Sequence, residues 1–356
     1  MNVGINGFGR IGRLFLRAVL LADNLPFTIT HINDLADFRC LLDLLELDTA
    51  HGRLGRKTRV EGNKLIIDGY SPITFSQTPK AEEIPWNQAD VDFVVESTGF
   101  FTSKEKASLH LQKGVKKVII SAPASNEIDA TVVIGVNEET LKESDKIISN
   151  ASCTTNSITA VLKVVNEAFG VENGLLTTIH SYTMDQRLHD SPHSDLRRAR
   201  AACQSVIPSS TGAAKLAGKL IGLEGKIDGM SFRVPTITGS ITQVALNMKK
   251  ELTKEEVNQA LKEACAGDLK GVIHYTEKEI VSSDIVGDPR SGIIDSKITK
   301  VQNSKLLQLN VWYDNEWGFS NRMVDLVKFV TEGKYGQKHE HREALRSSGV
   351  AVGENY

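Results

Sequence analysis

Asn2-Val3-Gly4-Ile5-Asn6-Gly7-Phe8-Gly9-Arg10-Ile11-Gly12 is the stretch that decides how the first half of this chain is read. Asn2–Ile5 has the make-up of a short buried strand, and Arg10–Leu21 carries the pattern of a helix. Between them Gly7, Gly9 and Gly12 form a G-x-G-x-x-G. Glycines so spaced permit a tight turn and let backbone approach a pyrophosphate at a helix N-terminus, where the dipole and unpaired N–H groups favour an anion. In a sequence with 28 glycines the spacing alone is a weak signal. The order of the neighbouring elements strengthens it. A second strand, Phe27–Ile32, runs into Asn33-Asp34, which puts a carboxylate 22 residues after Gly12, where an acid can bind the ribose hydroxyls of adenosine. The bland alternative, a glycine-rich turn that binds nothing, does not account for this order. Asp34 also favours NAD over NADP, because a 2′-phosphate would meet a like charge. Ser191 offers such a phosphate one hydroxyl, which does not outweigh a nearby carboxylate.

Outward from this unit, Val91–Val95, Val118–Ile120, Thr131–Val136 and Lys146–Ile148 read as further strands, and Lys104–Lys113 as a helix. Several strands end in small or polar residues, as in Ser97-Thr98-Gly99 and Ser121, the signature of parallel strands whose C-terminal ends line a crevice. After about residue 152 the character changes. Longer strands appear (Leu175–Ile179, Gly229–Val234, Ile241–Met248, Lys305–Tyr313) with fewer helices between them. The clearest helix there is Lys254–Ala266, with Thr253 and Glu256 as a capping box and Gly267 as its stop. The fold class expected is α/β, a Rossmann dinucleotide-binding domain plus an α+β catalytic domain with a mixed or antiparallel sheet.

Composition narrows the function. A net charge of −2 gives no electrostatic reason to expect nucleic acid or an anionic membrane as principal partner. No apolar run approaches the ~20 residues that span a bilayer, and the N-terminus lacks a signal-peptide pattern. Cys40, Cys153, Cys203 and Cys265 form no C-x-x-C pair, so neither a zinc site nor a disulfide framework is expected. No metal site is read. The two tail histidines, His339 and His341, belong to a polar tail. A reducing cytoplasm is the expected compartment.

The chemistry centres on Ser152-Cys153-Thr154-Thr155-Asn156. Ile158, Val161, Leu162 and Val165 fall at i, i+3, i+4 and i+7, which places Cys153 at a helix N-terminus. A thiol there is expected to be partly thiolate at neutral pH, hence nucleophilic. The alternative is a buried cysteine acting as a small hydrophobe, but its neighbours are polar. His180 ends an apolar strand and is the best placed base for the thiol proton and donor to an oxyanion. Arg197, Arg198 and Arg200 are read as a small-anion site, a solvated face or an RNA patch, the near-neutral chain disfavouring the last. Ser209–Lys215 opens a helix with hydroxyls and flexible backbone, and Arg233 ends another strand, so more than one phosphate position is indicated.

At this point the chain closely resembles the phosphorylating glyceraldehyde-3-phosphate dehydrogenases up to about residue 335. The matching blocks include Ile5–Gly12, Asn33-Asp34-Leu35, Glu96–Gly99, Ser149–Asn156, His180–Gln186, Asp195–Ala201, Thr211–Lys215, Arg233–Thr236 and Trp312–Ser320. The resemblance implies an NAD-binding Rossmann domain over 1–152, completed by a C-terminal helix at about 316–335, a catalytic domain over 153–315, and a polar tail over 337–356. It also implies a homotetramer, and a segment from Ser181 to Pro208 lying near a neighbouring subunit's cofactor. By motif, Cys153 corresponds to the nucleophile and His180 to its base. Thr183 and Arg233 match residues that hold the substrate phosphate. Ser152, Thr154, Arg198, Thr211 and Gly212 match the surroundings of the attacking inorganic phosphate. Gly7, Gly9, Arg10, Ile11, Gly12, Asp34, Ser97, Thr98, Ser121 and Asn315 match the cofactor region. The implied reaction is NAD-dependent oxidation of D-glyceraldehyde 3-phosphate to 1,3-bisphosphoglycerate through a cysteine thioester.

Three positions depart from the common pattern. Met184 stands for a usual Asn, Ser157 for a second cysteine and Phe319 for a Tyr. The phenylalanine and His180-Ser181 also occur in the related erythrose-4-phosphate dehydrogenases, which makes a tetrose phosphate the alternative substrate. Tyr182-Thr183 and Ser210–Lys215 follow the triose pattern. A non-catalytic nucleotide- or RNA-binding protein on the same fold is the reading from a different class.

Overall fold

Gly9 starts the first helix without a side-chain cap, and Arg10–Leu21 (α1) then buries Leu14, Phe15, Leu16 and Ala18 completely. In this computed structural model, which describes residues 1–112 and 114–338, that helix follows a parallel strand as the glycine pattern requires. The polar tail lies outside the described residues, except for Gln337 and Lys338. Contacts divide the chain into two units. One comprises Met1–Ser152 together with a segment beginning at Ser320, the other Cys153–Phe319. Among the described residues no helix is long and apolar enough to cross a membrane.

The first unit is built on a nine-stranded sheet. Its strands in chain order are β1 (Asn2–Asn6), β2 (Thr28–Asn33), β3 (Thr58–Glu61), β4 (Lys64–Ile67), β5 (Ile73–Ser76), β6 (Phe93–Glu96), β7 (Lys117–Ile120), β8 (Ala130–Thr131) and β9 (Ile147–Ser149). The spatial order is β8-β9-β7-β6-β1-β2-β5-β4-β3. Strands β8 to β5 run parallel, while β4 and β3 fold back as an antiparallel edge. Because β2 and β6 flank β1 on opposite sides, the chain reverses its direction of winding at β1, where open α/β sheets bind ligands at the strand C-termini. Asn6, Asn33 and Glu96 mark those ends.

Two sequence expectations need correction here. Thr131–Val136 is not a full strand: pairing stops at Thr131 and the chain turns. Val132, Val133 and Ile134 are buried all the same, and Glu138 Oε2 accepts the Gly135 and Val136 N–H groups at 2.8 and 3.1 Å. The helix expected over Lys104–Lys113 is a single α-turn (Lys104–Ala107, α3) followed by a 3-10 turn at Ser108–His110, and Lys113 itself lies outside the described residues. A short helix, α2 (Phe38–Glu46), precedes the edge strands.

The second unit opens with α4 (Cys153–Phe169) and holds an eight-stranded sheet. Its strands are β10 (Val171–Ser181), β11 (Ile207–Ser210), β12 (Ile227–Val234), β13 (Ser240–Met248), β14 (Ile273–Thr276), β15 (Gly292–Asp295), β16 (Lys300–Gln302) and β17 (Leu306–Tyr313). The order is β11-β12-β10-β13-β17-β15-β14, with β16 on β17. Pairing is mixed, parallel between β10 and β12 and between β14 and β15, antiparallel elsewhere. Alternation along β10 turns Leu176, Thr178 and His180 inward and Leu175, Thr177 and Ile179 outward. Helices α5 (Ala213–Leu220) and α6 (Lys254–Ala266) pack beside α4, and α6 carries the Thr253–Glu256 capping box. Helix α7 (Trp317–Glu332), the last among the described residues, begins in this unit and ends in the other.

Candidate active site

The residues of the first unit expected to bind the cofactor gather at the end of β1. Gly7 has φ +90°, and a Cβ there would lie 2.7 Å from Thr98 N. A Cβ on Gly12 would drive into the Gly7 carbonyl oxygen, so that glycine lets α1 seat against the turn. Gly9 has no atom within 4 Å of where its Cβ would stand, and the α1 N-terminus has no side-chain cap. Backbone donors beside open space, at the positive end of a helix, fit a dinucleotide pyrophosphate. The Asp34 carboxylate accepts from Phe8 N at 2.6 Å and from Ala36 N at 2.9 Å, which fixes it at the end of β2 with lone pairs still available for ribose hydroxyls. Ser97 Oγ is buried without a hydrogen-bond partner, and Ser121 N bonds to Glu96 O at 2.9 Å. Ile11 lies in the first turn of α1, and the Arg10 side chain is turned to Asp48, leaving its backbone at the helix start.

In the second unit, Cys153 is the first residue of α4, reached by a sharp turn in which Ala151 takes φ +57°. That left-handed conformation is costly for a residue with a Cβ. Ala151 N donates to Ser149 Oγ at 3.0 Å, and the turn separates β9 from α4 so that Ser152 and Cys153 lead into the helix. Register along β10 and β12 sets His180 opposite Arg233.

The thiol and the imidazole are close. Cys153 Sγ lies 3.4 Å from His180 Nε2. His180 Nδ1 is 2.7 Å from Ser181 O, which can only accept, and within reach of Arg233 Nη1, which can only donate; in the tautomer that gives the Nδ1 proton to Ser181 O, Nε2 is the acceptor facing sulfur. Arg233 Nη1 lies 2.8 Å from the same Nδ1 and donates to Ser181 O at 3.2 Å and Thr183 Oγ1 at 3.1 Å. Burial and then the Arg233 cation push the imidazole down to about 3, so the ring is neutral at physiological pH. Arg233 Nε is buried with no hydrogen-bond partner.

The expected standing thiolate is corrected by this geometry. Cys153 keeps part of its surface accessible, yet atoms crowd its sulfur closely enough that desolvation raises the thiol above its ordinary value. The Arg233 charge and the Thr154 hydrogen bonds pull the other way without overcoming it. Cysteine and histidine therefore rest as a neutral pair.

Two side chains that the sequence reading did not single out complete the surroundings. Tyr313, at the end of β17, bonds Thr154 Oγ1 and Thr178 Oγ1 at 2.8 Å each and meets the His180 ring edge-on at 5.9 Å. Burial pushes its phenol up to about 12, so it stays protonated. Asp185 bonds both Thr183 Oγ1 and Arg198 Nη1. Burial would raise its carboxyl, but the Thr183 hydroxyl, Arg233 and Arg198 hold it below the usual range. Inward alternation at the end of a strand was the available signal for Tyr313. For Asp185 it was a carboxylate two residues after Thr183 in a loop that also supplies arginines.

Arg198 further contacts Asp195 at 3.4 Å and Ser210 O at 3.3 Å, and Arg200 pairs with Asp190 at 3.1 Å. With two of its three arginines already paired, this segment offers less to a nucleic-acid backbone than the sequence suggested. Thr211 Oγ1 accepts from Ala213 N at 3.2 Å, and Gly212 caps α5 with open space where a Cβ would stand. Asn315 is buried, its Oδ1 accepting from Ser240 Oγ at 2.9 Å. Met184 is 86% exposed, whereas Ser157 is buried and donates to Thr154 O at 3.0 Å. Phe319 is buried.

A glycine-turn nucleotide fold joined to a cysteine–histidine pair beside an arginine defines an NAD-dependent oxidoreductase with a thiol at its centre. Residues 1–104 match the family described as glyceraldehyde 3-phosphate dehydrogenase, NAD binding domain, and residues 152–315 match its C-terminal domain. The chain is 52% identical over 330 residues to the glyceraldehyde-3-phosphate dehydrogenase of Thermotoga maritima, covering 92% of this chain and 98% of that one. It is 50% identical over 332 residues to glyceraldehyde-3-phosphate dehydrogenase 2 of Streptomyces avermitilis and 48% over 332 residues to the Geobacillus stearothermophilus protein, in each case across 93% of this chain and 98% of the other. The chain belongs to the glyceraldehyde-3-phosphate dehydrogenase family.

Proposed function

We propose that this enzyme oxidises D-glyceraldehyde 3-phosphate and phosphorylates the product to 1,3-bisphosphoglycerate, with Cys153 as nucleophile and His180 as base. The observation that carries the reading is the Sγ to Nε2 separation of 3.4 Å, with Arg233 on the far side of the same ring. Nε2 takes the thiol proton as sulfur adds to the aldehyde carbon. It then holds that proton within reach of the new oxygen. Gly7, Gly9, Arg10, Ile11, Gly12, Asp34, Ser97, Thr98, Ser121 and Asn315 would hold NAD, which when bound would accept the hydride whose loss takes the carbon to the thioester level. Thr183 and Arg233 hold the substrate phosphate. Ser152, Thr154, Arg198, Thr211 and Gly212 surround the inorganic phosphate that cleaves the thioester, the Gly212 cap offering helix N–H groups.

In this reading 1–152 with α7 forms the NAD-binding domain, and the residues from Cys153 to Asn315 form the catalytic domain. A homotetramer is part of the proposal. Leu175, Ile179 and Met230 are 65%, 36% and 38% exposed on the outer face of the second sheet, an apolar surface suited to a second copy. The proposed compartment is the cytoplasm, where the four free cysteines stay reduced. Absorbance at the NADH band, followed with and without inorganic phosphate, tests the reaction. Phosphate-dependent NADH formation is expected, with a larger kcat/KM for glyceraldehyde 3-phosphate than for erythrose 4-phosphate. The reverse ranking would replace the triose by the tetrose, and RNA binding without NADH formation would remove the enzymatic reading.

A further inference from the structure

Beneath the crevice of the first unit lies a buried ionisable pair that takes no part in the proposed chemistry. Glu96, at the end of β6, and His110, on the 3-10 turn after α3, have side chains with 0% exposure. Glu96 Oε2 accepts from Asn6 Nδ2 at 2.6 Å and lies 3.1 Å from His110 Nε2. Its other oxygen, Oε1, accepts from the Thr98 N–H at 2.7 Å and from the Thr98 hydroxyl. The tautomer of His110 is set by Trp86, whose Nε1–H lies 3.3 Å from His110 Nδ1 and can only donate. Nδ1 is therefore bare and Nε2 carries the hydrogen. The flip of Asn6 is fixed in the same way, because its Oδ1 accepts from Asn33 Nδ2 at 2.9 Å.

All four groups that face Glu96 are thus donors, and among side chains of this size only a carboxylate accepts from all of them. A dry carboxylate is expensive to bury, so its place here calls for a role. What it holds is the crevice wall. The Thr98 N–H it accepts belongs to the backbone against which Gly7 packs, at 2.7 Å from a Gly7 Cβ position, and Ser97 with its unpartnered Oγ lies between.

We propose that Glu96, oriented by His110, is a positioning residue for cofactor binding: it fixes the Ser97–Thr98 turn against the glycine turn without touching the ligand. The inference rests on the proposed placement of NAD at these residues. The test uses the full-length chain and reads the NAD dissociation constant by protein fluorescence, alongside KM, kcat and the rate of Cys153 alkylation without cofactor. Glu96→Gln brings an amide donor into a shell of donors. It should weaken NAD binding and raise its KM by about tenfold or more, the loss expected for hydrogen bonds to a charged group. The kcat, the triose-phosphate KM and the alkylation rate should stay within about twofold, as expected where the catalytic groups are untouched. His110→Leu should weaken NAD in the same direction. His110→Gln should recover most of the affinity, since its amide can accept from Trp86 and donate to Glu96.

Gly9→Val distinguishes a failure of the cofactor placement from a failure of the positioning role. If that variant binds NAD normally, the cofactor is not where it was placed. If Gly9→Val loses NAD while Glu96→Gln retains wild-type affinity, the positioning role is overturned. Should Glu96→Gln fail to fold, the two His110 variants decide, and equal NAD affinity in both would overturn the proposal.

Discussion

Replacing Arg233 by methionine removes the cation 2.8 Å from His180 Nδ1 while keeping an unbranched chain in its place. Two causes depress the imidazole from 6.5 to about 3, burial first and Arg233 second. With charge centres about 4 Å apart and an effective dielectric of about 20, the Coulomb repulsion reaches roughly 4 kcal/mol, a ceiling of about 3 pH units. Burial is the larger cause and survives the substitution, so the expected rise is about 1–2 units, to a midpoint between roughly 4 and 5. The measurement is an NMR titration with carbon-13-labelled histidine, the His180 signal being assigned by its loss in His180→Asn. At pH 5 the wild-type ring should be neutral and the variant's partly protonated. A substrate phosphate held by Thr183 and Arg233 should raise the wild-type midpoint in the same sense, because its charge offsets the guanidinium, and should do so less in the variant, which lacks the cation that holds it. A variant midpoint that stays put or falls would refute the electrostatic account, and with it the idea that an occupied phosphate site strengthens the base.

Cys153→Ser should bind NAD normally yet lose turnover by several orders of magnitude, since an unactivated hydroxyl is a poor nucleophile at pH 7; near-normal turnover would exclude Cys153. Gly9→Val should fold with a melting temperature close to wild type, because nothing lies within 4 Å of the new Cβ, while calorimetry shows NAD binding lost. Stability should fall in acid through His31, which is 3% exposed and depressed by burial from 6.5 to about 4. Between those values the unfolded chain binds the extra proton, so stability is full above pH 6.5 and about 3 kcal/mol of it is lost by pH 4. His31→Gln, measured by urea unfolding, should flatten that part of the profile, and an unchanged slope would assign the acid sensitivity elsewhere.

What was legible in the sequence depended on whether one local signal sufficed. Arg10–Leu21 and Lys254–Ala266 were read to the residue, because a glycine turn opens the first and a capping box with a terminal glycine bounds the second. Thr131–Val136 misled because an apolar run records burial and not pairing. Val132–Ile134 are buried in a turn whose N–H groups are satisfied by Glu138 and Asn137, partners that no periodicity announces. The edge strands β3 and β4 escaped notice because Thr58–Glu61 and Lys64–Ile67 are only four residues each and the first is half charged. At the site, Cys153 at a helix start and His180 at a strand end were readable from local pattern. The resting protonation of the pair was not, since it depends on desolvation and on Arg233, which is distant in sequence. Asp185 was hidden for the same reason: its significance comes from Thr183 and Arg198 converging on it.

Helix α7 has a consequence for biosynthesis. The first unit is discontinuous, made of the opening residues to Ser152 and a segment that starts only at Ser320. Met323, Val324, Leu326, Val327 and Phe329 are at most 1% exposed in the finished protein. At translation rates of about 5–20 residues per second, roughly 8–35 s pass between completion of the opening segment and arrival of the helix that covers it. Through that interval the nascent unit carries an open apolar groove, while the second unit is emerging behind it. The nucleotide-binding half, made first, is therefore the last to close, and the ribosome-bound chain is a natural client for a chaperone that shields hydrophobic surface until α7 is released.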